Sequence, residues 1–196
     1  MLKFTFTPQT VRISNDFFKD GSDLLNRFEI IFESHGALKS MRLKCFIDLR
    51  MAFECFLKSL IAFHEDRNLH RRAIIQKVEA YGHNVPRLSQ DVCIHLPCDL
   101  CEKVQSFAKT LNRLPIGLRY ALDGYDFIVA KEEEYYKTIG RDSWLYELFD
   151  LLVDVQNELN RKLKQFSGIV CPSAYLDELL SPPFNKFGAY GFFYVE

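Results

Sequence analysis

Residues 45–64 read CFIDLRMAFECFLKSLIAFH, and their apolar side chains recur at every third or fourth position. This spacing predicts a long helix with a buried apolar side. Arg50, Glu54 and Lys58 follow one flank of the helix at intervals of four, and Glu before Lys is the favourable order for an ion pair. A helix this apolar must pack against other helices. The segment therefore indicates a helical bundle in which at least one of these charges is half-buried.

The rest of the chain predicts one all-α domain over residues 1–196, a bundle of six or seven helices with short extended segments at both termini. The 196 residues are 48% hydrophobic, which is enough to bury a substantial core. Alternating Phe4 and Phe6 before Pro8 predict an extended arm over about residues 1–13. An aromatic, glycine-rich tail follows from about residue 168 to 196. Gly21 predicts a break or kink in the first helix.

The composition of the chain limits the kinds of partner that the protein can bind and the cellular compartment in which we expect it. The net charge of -1 gives no overall attraction to nucleic acid, so such binding would need a local basic patch. No apolar run reaches the roughly 20 residues of a membrane-spanning helix, and the first residues lack the apolar core of a secretion signal. We therefore expect a cytoplasmic protein without a membrane partner, whose six cysteines are reduced thiols.

Three sequence pieces, in order, resemble the HEPN superfamily of helical domains. Residues 52–58, AFECFLK, are similar to that family's A-x-E-x-x-L-K helix, and residues 82–88, GHNVPRL, resemble its G-H-(N/D)-L-x-x-L turn. Residues 118–120, LRY, resemble an Arg-Tyr pair that often precedes its later helices. The resemblance implies an all-helical bundle, often a homodimer, in a family rich in RNA-cleaving toxins and prokaryotic defence proteins.

The chain departs from that family at the ribonuclease motif, an Arg followed about four to six residues later by a His. None of the five His fits, since the Arg67–His70 spacing is too short and the Arg87–His95 spacing too long. We therefore expect a protein that binds RNA, a nucleotide or a partner such as an antitoxin, without metal-independent cleavage of RNA. One alternative is a ribonuclease with a non-standard set of Arg67, His70 and His83. Another is a structural helical dimer or scaffold without a nucleic-acid role, so the sequence leaves enzyme activity open.

The HEPN-like pieces predict one polar cluster, made of Glu54, Lys58, His83 and Arg119. It could be a nucleotide or RNA pocket in which Lys58 and Arg119 contact phosphate. It could equally be an ion-pair network that fixes the helix packing, with Glu54 bound to Lys58 or Arg119, because buried charges need partners.

A basic patch is predicted at the start of the third helix by Arg67, Arg71, Arg72 and Lys77. Cations beside a helix N-terminus can bind phosphate, so the patch is a candidate phosphate-binding site. A solvated helix face with no ligand is the other interpretation.

Cys93, His95, Cys98 and Cys101 have ligand types that suit zinc or an iron–sulfur cluster. Four ligands within nine residues, with a helix expected from Asp99, make a closed tetrahedron difficult to form. We therefore expect neither a metal nor another cofactor, and keep this cluster as the less favoured alternative.

Overall fold

The structure, a computed structural model, describes residues 8–115, 118 and 121–166. These residues form eight α-helices and one short 3₁₀ turn, without a strand, which confirms the predicted all-α bundle. The helices are α1 Gln9–His35, α2 Lys39–His64, α3 Arg71–Glu79, α4 Val85–Val92, α5 Cys98–Arg113, α6 Ala121–Ala130, α7 Glu132–Lys137 and α8 Asp142–Lys164. The 3₁₀ turn is Cys93–His95. The sequence predicts an irregular connection up to about residue 125 and a single helix from about Asp126 to Ile139. The structure instead begins α6 at Ala121, and a non-helical Lys131 separates it from α7.

The predicted long helix lies inside α2, which is the centre of the bundle. Most of its apolar residues are buried, although Met51 is exposed, and α1, α3, α4, α6 and α8 all pack against it. A helix that is apolar on several sides is stable only when it is surrounded in this way. The buried charged residues of α2, which are Arg42, Asp48, Arg50 and Glu54, therefore need partners within the protein.

The structure of α1 corrects two predictions, one about where the helix begins and one about a kink at Gly21. Residues 9–13 belong to α1 and are helical, because Pro8 directly precedes the helix rather than interrupting a strand. Residues 1–7 and the predicted tail lie outside the described residues. Gly21 does not break α1; it lies within the helix, against the ring of Phe56. Nearer the start of α1, the Ser59 hydroxyl donates to the Ser14 carbonyl at 2.7 Å.

No helix among the described residues combines the length and the apolar character that a membrane crossing requires.

Candidate functional site

Glu54 forms a buried polar cluster with two partners. It lies in the middle of α2 and is 5% exposed. Its Oε1 is 3.7 Å from Nε of Arg50, one helical turn earlier. Its Oε2 is 2.8 Å from Nδ1 of His83, which belongs to the connection between α3 and α4. The structure thus brings together Glu54 and His83 of the predicted cluster, and adds Arg50.

The other two members of the predicted cluster do not extend this group. Lys58 is half-buried on the next turn of α2 and lies beyond ion-pair distance of Glu54. Arg119 lies outside the described residues, although its neighbour Leu118 is buried. Glu54 therefore pairs with the Arg four residues before it, not with the Lys four residues after it.

Arg50 also explains how the cluster is anchored. The side chain is 3% exposed, and its Nη1 donates to the carbonyls of Leu111 at 2.8 Å and Leu114 at 2.6 Å. These carbonyls lie at the end of α5, where backbone acceptors lack helical partners. Burial lowers the pKa of Arg50, and the charge of Glu54 opposes this shift. One guanidinium thus joins α2 to the end of α5.

The conformation of the turn that carries His83 is determined by the residues on either side of it. Gly82 has a φ of 54°, in the left-handed region that glycine adopts without strain. Asn84 caps α4, because its Oδ1 accepts from the backbone N–H of Arg87 at 3.1 Å. These two residues place His83 over Glu54, and the imidazole is still 60% exposed. A buried carboxylate therefore orients a histidine that solvent can reach.

This pairing has a definite chemical capacity. A carboxylate oxygen only accepts, so Nδ1 of His83 is the donor of this hydrogen bond. A histidine oriented by a carboxylate in this way can act as a general base. The same geometry also serves packing alone, since it supplies Glu54 with a second partner.

The predicted catalytic set of Arg67, His70 and His83 is not brought together. His70 caps α3, with Nδ1 accepting from the N–H of Ala73 at 3.4 Å. His83 follows the opposite end of α3, and nine residues of helix span about 13 Å. Arg67 is on the His70 side, where its guanidinium lies 5.4 Å from the ring centre of Phe166.

The predicted phosphate-binding patch divides into two parts. Lys77 pairs with Glu65 at 2.7 Å, and Arg72 is exposed on α3. Arg71 instead approaches Asp16 of α1 at 3.8 Å, and Arg67 contacts Phe166 at the end of α8. Two of the four cations therefore lie beside α1 and α8, at the same end of the bundle.

At that end a cleft opens between the first turns of α1 and the last turns of α8. Its volume is about 280 Å³, and the buried apolar residues Val11 and Leu163 are part of its lining. We call it the basic cleft; its other lining residues are Arg12, Asn15, Phe18, Asn160, Lys164 and Phe166. The volume is close to the lower end of the roughly 300–1,000 Å³ that is usual for ligand pockets.

Sequence reasoning missed the basic cleft for a specific reason. Arg12 lay in the predicted extended arm rather than on a helix, and Lys164 lies about 150 positions later in the chain. The available signal was the basic last turn of α8, which contains Arg161, Lys162 and Lys164. Of these, Arg161 and Lys162 pair with Glu158.

Two histidine rings stack near the same end. His64 ends α2 and His95 ends the 3₁₀ turn, and their ring centres are 3.7 Å apart with planes inclined by only 3°. Burial, followed by the proximity of His95 and of Lys162, lowers the pKa of His64 from 6.5 to about 4. Burial and Lys162 also lower the pKa of His95. Both imidazoles are therefore neutral in the folded protein near neutral pH.

This stack should make stability depend on pH. Between pH 6.5 and about 4 the unfolded chain protonates His64 while the folded protein does not, so stability falls as the pH falls through this window. We expect the loss of stability between about pH 7 and about pH 5 to be smaller in His64→Gln than in the wild type. Urea unfolding of both proteins at both pH values measures this difference in the loss of stability. An identical pH dependence in the two proteins would show that His64 does not titrate as described.

The cysteine-rich segment differs from the prediction of reduced thiols and from the less favoured metal site. Cys93 and Cys101 form a disulfide, so the prediction of reduced thiols is wrong for this pair. Their sulfurs bond to each other and do not surround an ion together with His95 and Cys98. In the described part of the chain, no group of three or more His, Cys, Asp or Glu is placed to hold a metal ion.

Comparisons of the chain with protein-family models, with curated proteins and with solved structures found no match. The resemblance to the HEPN superfamily therefore stays a prediction.

Proposed function

We propose that this is a HEPN-like protein of a prokaryotic defence or toxin–antitoxin system that binds RNA, with one nucleotide seated in the basic cleft. The observation that supports it best is the composition of the cleft, where Arg12 and Lys164 meet two aromatic rings and two side-chain amides. The net charge of the chain is -1, so attraction to RNA must come from such a local cluster.

Each class of lining residue matches one part of a nucleotide. Arg12 and Lys164 can bind phosphate, with Arg67 and Arg71 beside them for the next phosphates along the strand. Phe18 and Phe166 offer surfaces on which a base can stack. Asn15 and Asn160 each carry a donor and an acceptor for the edge of an unpaired base. A single-stranded RNA fits these features better than a duplex, whose bases are already paired.

The test is the binding of a fluorescently labelled, short single-stranded RNA, measured by polarisation between about 50 and 200 mM salt. We expect binding that weakens as salt increases. Arg12→Glu with Lys164→Glu should weaken it by about tenfold or more and should reduce the salt dependence, because two phosphate contacts are lost.

Arg141→Glu is the matched control. Arg141 is an exposed cation at the opposite end of α8, which spans about 34 Å over its 23 residues. It should leave the affinity unchanged, and melting curves should show that all variants are folded. Equal losses in both variants would indicate non-specific attraction. No binding at low salt would contradict the proposal and favour a homodimeric scaffold or an antitoxin-binding protein.

A second candidate function is cleavage of RNA, and the contact between Glu54 and His83 favours it. The exposed His83, oriented by a buried carboxylate at 2.8 Å, has the arrangement of a general base that could activate a ribose hydroxyl. Gel analysis of the RNA from the binding assay tests it. Cleavage that is abolished in His83→Ala would support this candidate, and intact RNA at high protein concentration would exclude it.

A further inference from the structure

We propose that Cys93, Cys98 and Cys101 form a disulfide-exchange site, in which the partner of Cys101 changes from Cys93 to Cys98. This inference is independent of RNA binding. It starts from the observation that a disulfide and an exposed thiol share the first turn of α5 and the 3₁₀ turn before it.

The backbone geometry suits both disulfides. Cys93 and Cys101 are bonded, with their Cα atoms 5.0 Å apart. Cys98 is the first residue of α5 and precedes Cys101 by three residues, so their Cα atoms are about 5 Å apart in regular helix geometry. Disulfides usually join Cα atoms about 4.4–6.8 Å apart. Cys101 can therefore bond to either neighbour without a large movement of α5.

The exchange is balanced and needs no oxidant or reductant. The Cys98 thiol first loses its proton to solvent, and the resulting thiolate attacks Sγ of Cys101. The bond between Cys98 and Cys101 forms as the bond between Cys93 and Cys101 breaks. Cys93 leaves as a thiolate and takes up a proton from solvent, so the numbers of thiols and of disulfides do not change.

The other described cysteines are poor competitors for this reaction. Cys45 and Cys55 lie on α2, and burial raises the pKa of each thiol to about 11. They stay protonated near neutral pH and are weak nucleophiles. Cys98, in contrast, is exposed to solvent.

The exchange has a structural consequence at the end of α2. In the structure the disulfide fixes the 3₁₀ turn to α5, and this turn carries His95, which stacks on His64. After exchange the disulfide lies within α5 alone, so the turn is no longer cross-linked to α5 and is joined to it only by the backbone. The exchange thus converts a bond between two elements into a bond within one, and releases the segment that holds the histidine stack.

The experiment identifies which cysteines carry free thiols in the full chain. Cys171 lies outside the described residues and is replaced by Ser in every sample, so that only five cysteines remain to be assigned. The protein is incubated without reductant at about pH 8.5, quenched in acid, denatured, labelled with N-ethylmaleimide and analysed by peptide mass spectrometry. Labelling of Cys45 and Cys55 gives an internal standard. We expect label on both Cys98 and Cys93, together with peptides linked through Cys98 and Cys101.

Cys98→Ser is the decisive variant, because an exposed side chain can be replaced without disturbing the core. It should reduce the label on Cys93 by about tenfold or more, since no thiol remains to displace it. Label on Cys98 alone in the parent protein would overturn the proposal, as would equal label on Cys93 with and without Cys98. Label on Cys101 equal to that on Cys93 and Cys98 would also overturn it, because Cys101 stays in a disulfide in both proposed states.

Discussion

Glu54→Ala is expected to lower the free energy of unfolding by about 3–5 kcal/mol, because it leaves Arg50 as a buried charge without its counter-ion. Glu54 is 5% and Arg50 3% exposed, so water cannot replace the lost carboxylate. The carbonyls of Leu111 and Leu114 still accept from Arg50, but they carry no negative charge. The large expected loss of stability therefore comes from the unpaired charge of Arg50 rather than from the space that the truncated Glu54 side chain leaves.

Chemical denaturation followed by circular dichroism measures this effect. His83→Ala is the matched control, because it removes the other partner of Glu54 at an exposed position and should cost only about 1 kcal/mol. A loss below about 1 kcal/mol for Glu54→Ala would mean that the carboxylate is hydrated and the cluster does not form.

A double-mutant cycle measures the interaction energy between Arg50 and Glu54 separately from the contacts that each makes with the rest of the protein. Arg50→Met and Glu54→Leu should each lower the free energy of unfolding strongly when made alone, because either single change leaves an unpaired buried charge. We expect the two separate losses to add up to clearly more than the loss in the double variant. Simple additivity would indicate that Arg50 and Glu54 do not interact.

The position of the polar cluster could be predicted from the sequence, but its cation could not. The spacing of apolar residues correctly placed Glu54 on a buried helix. Arg50 and Lys58 are both four residues away from it, so local spacing does not choose between them. The choice depends on the end of α5, whose carbonyls bind Arg50 from about sixty residues further along the chain.

The same limit applies to the basic cleft and to the cysteines. The alternation of Phe4 and Phe6 favoured an extended arm over about residues 1–13, yet Arg12 lies, together with Asn15, on a helix that begins directly after Pro8. Their partners on α8 are brought close only by the packing of the whole bundle. The disulfide between Cys93 and Cys101 likewise depends on the angle between the 3₁₀ turn and α5, which residue spacing does not specify.

Gly21 shows how a local rule gives the wrong answer when packing decides. Glycine within a helical pattern usually indicates a weak point, which led to the prediction of a kink. In the structure α1 continues through Gly21, and a Cβ added there would lie 2.6 Å from Cε1 of Phe56. Phe56 is completely buried on α2. The absence of a side chain at position 21 therefore allows α1 and α2 to approach closely.

Gly21→Val is therefore expected to destabilise the protein by about 3 kcal/mol, because the new side chain overlaps the completely buried ring of Phe56. Gly21→Ala should cost less, since the better helix propensity of alanine, about 1 kcal/mol, offsets part of the overlap. Denaturant unfolding of both variants, together with Phe56→Leu and Gly21→Val/Phe56→Leu, measures these differences. The valine should be less harmful when the smaller Leu is present, because the atoms that it meets have been removed. If valine cost the same in both backgrounds, contact with Phe56 would not be the reason for the glycine, and the close approach of α1 and α2 would need another cause.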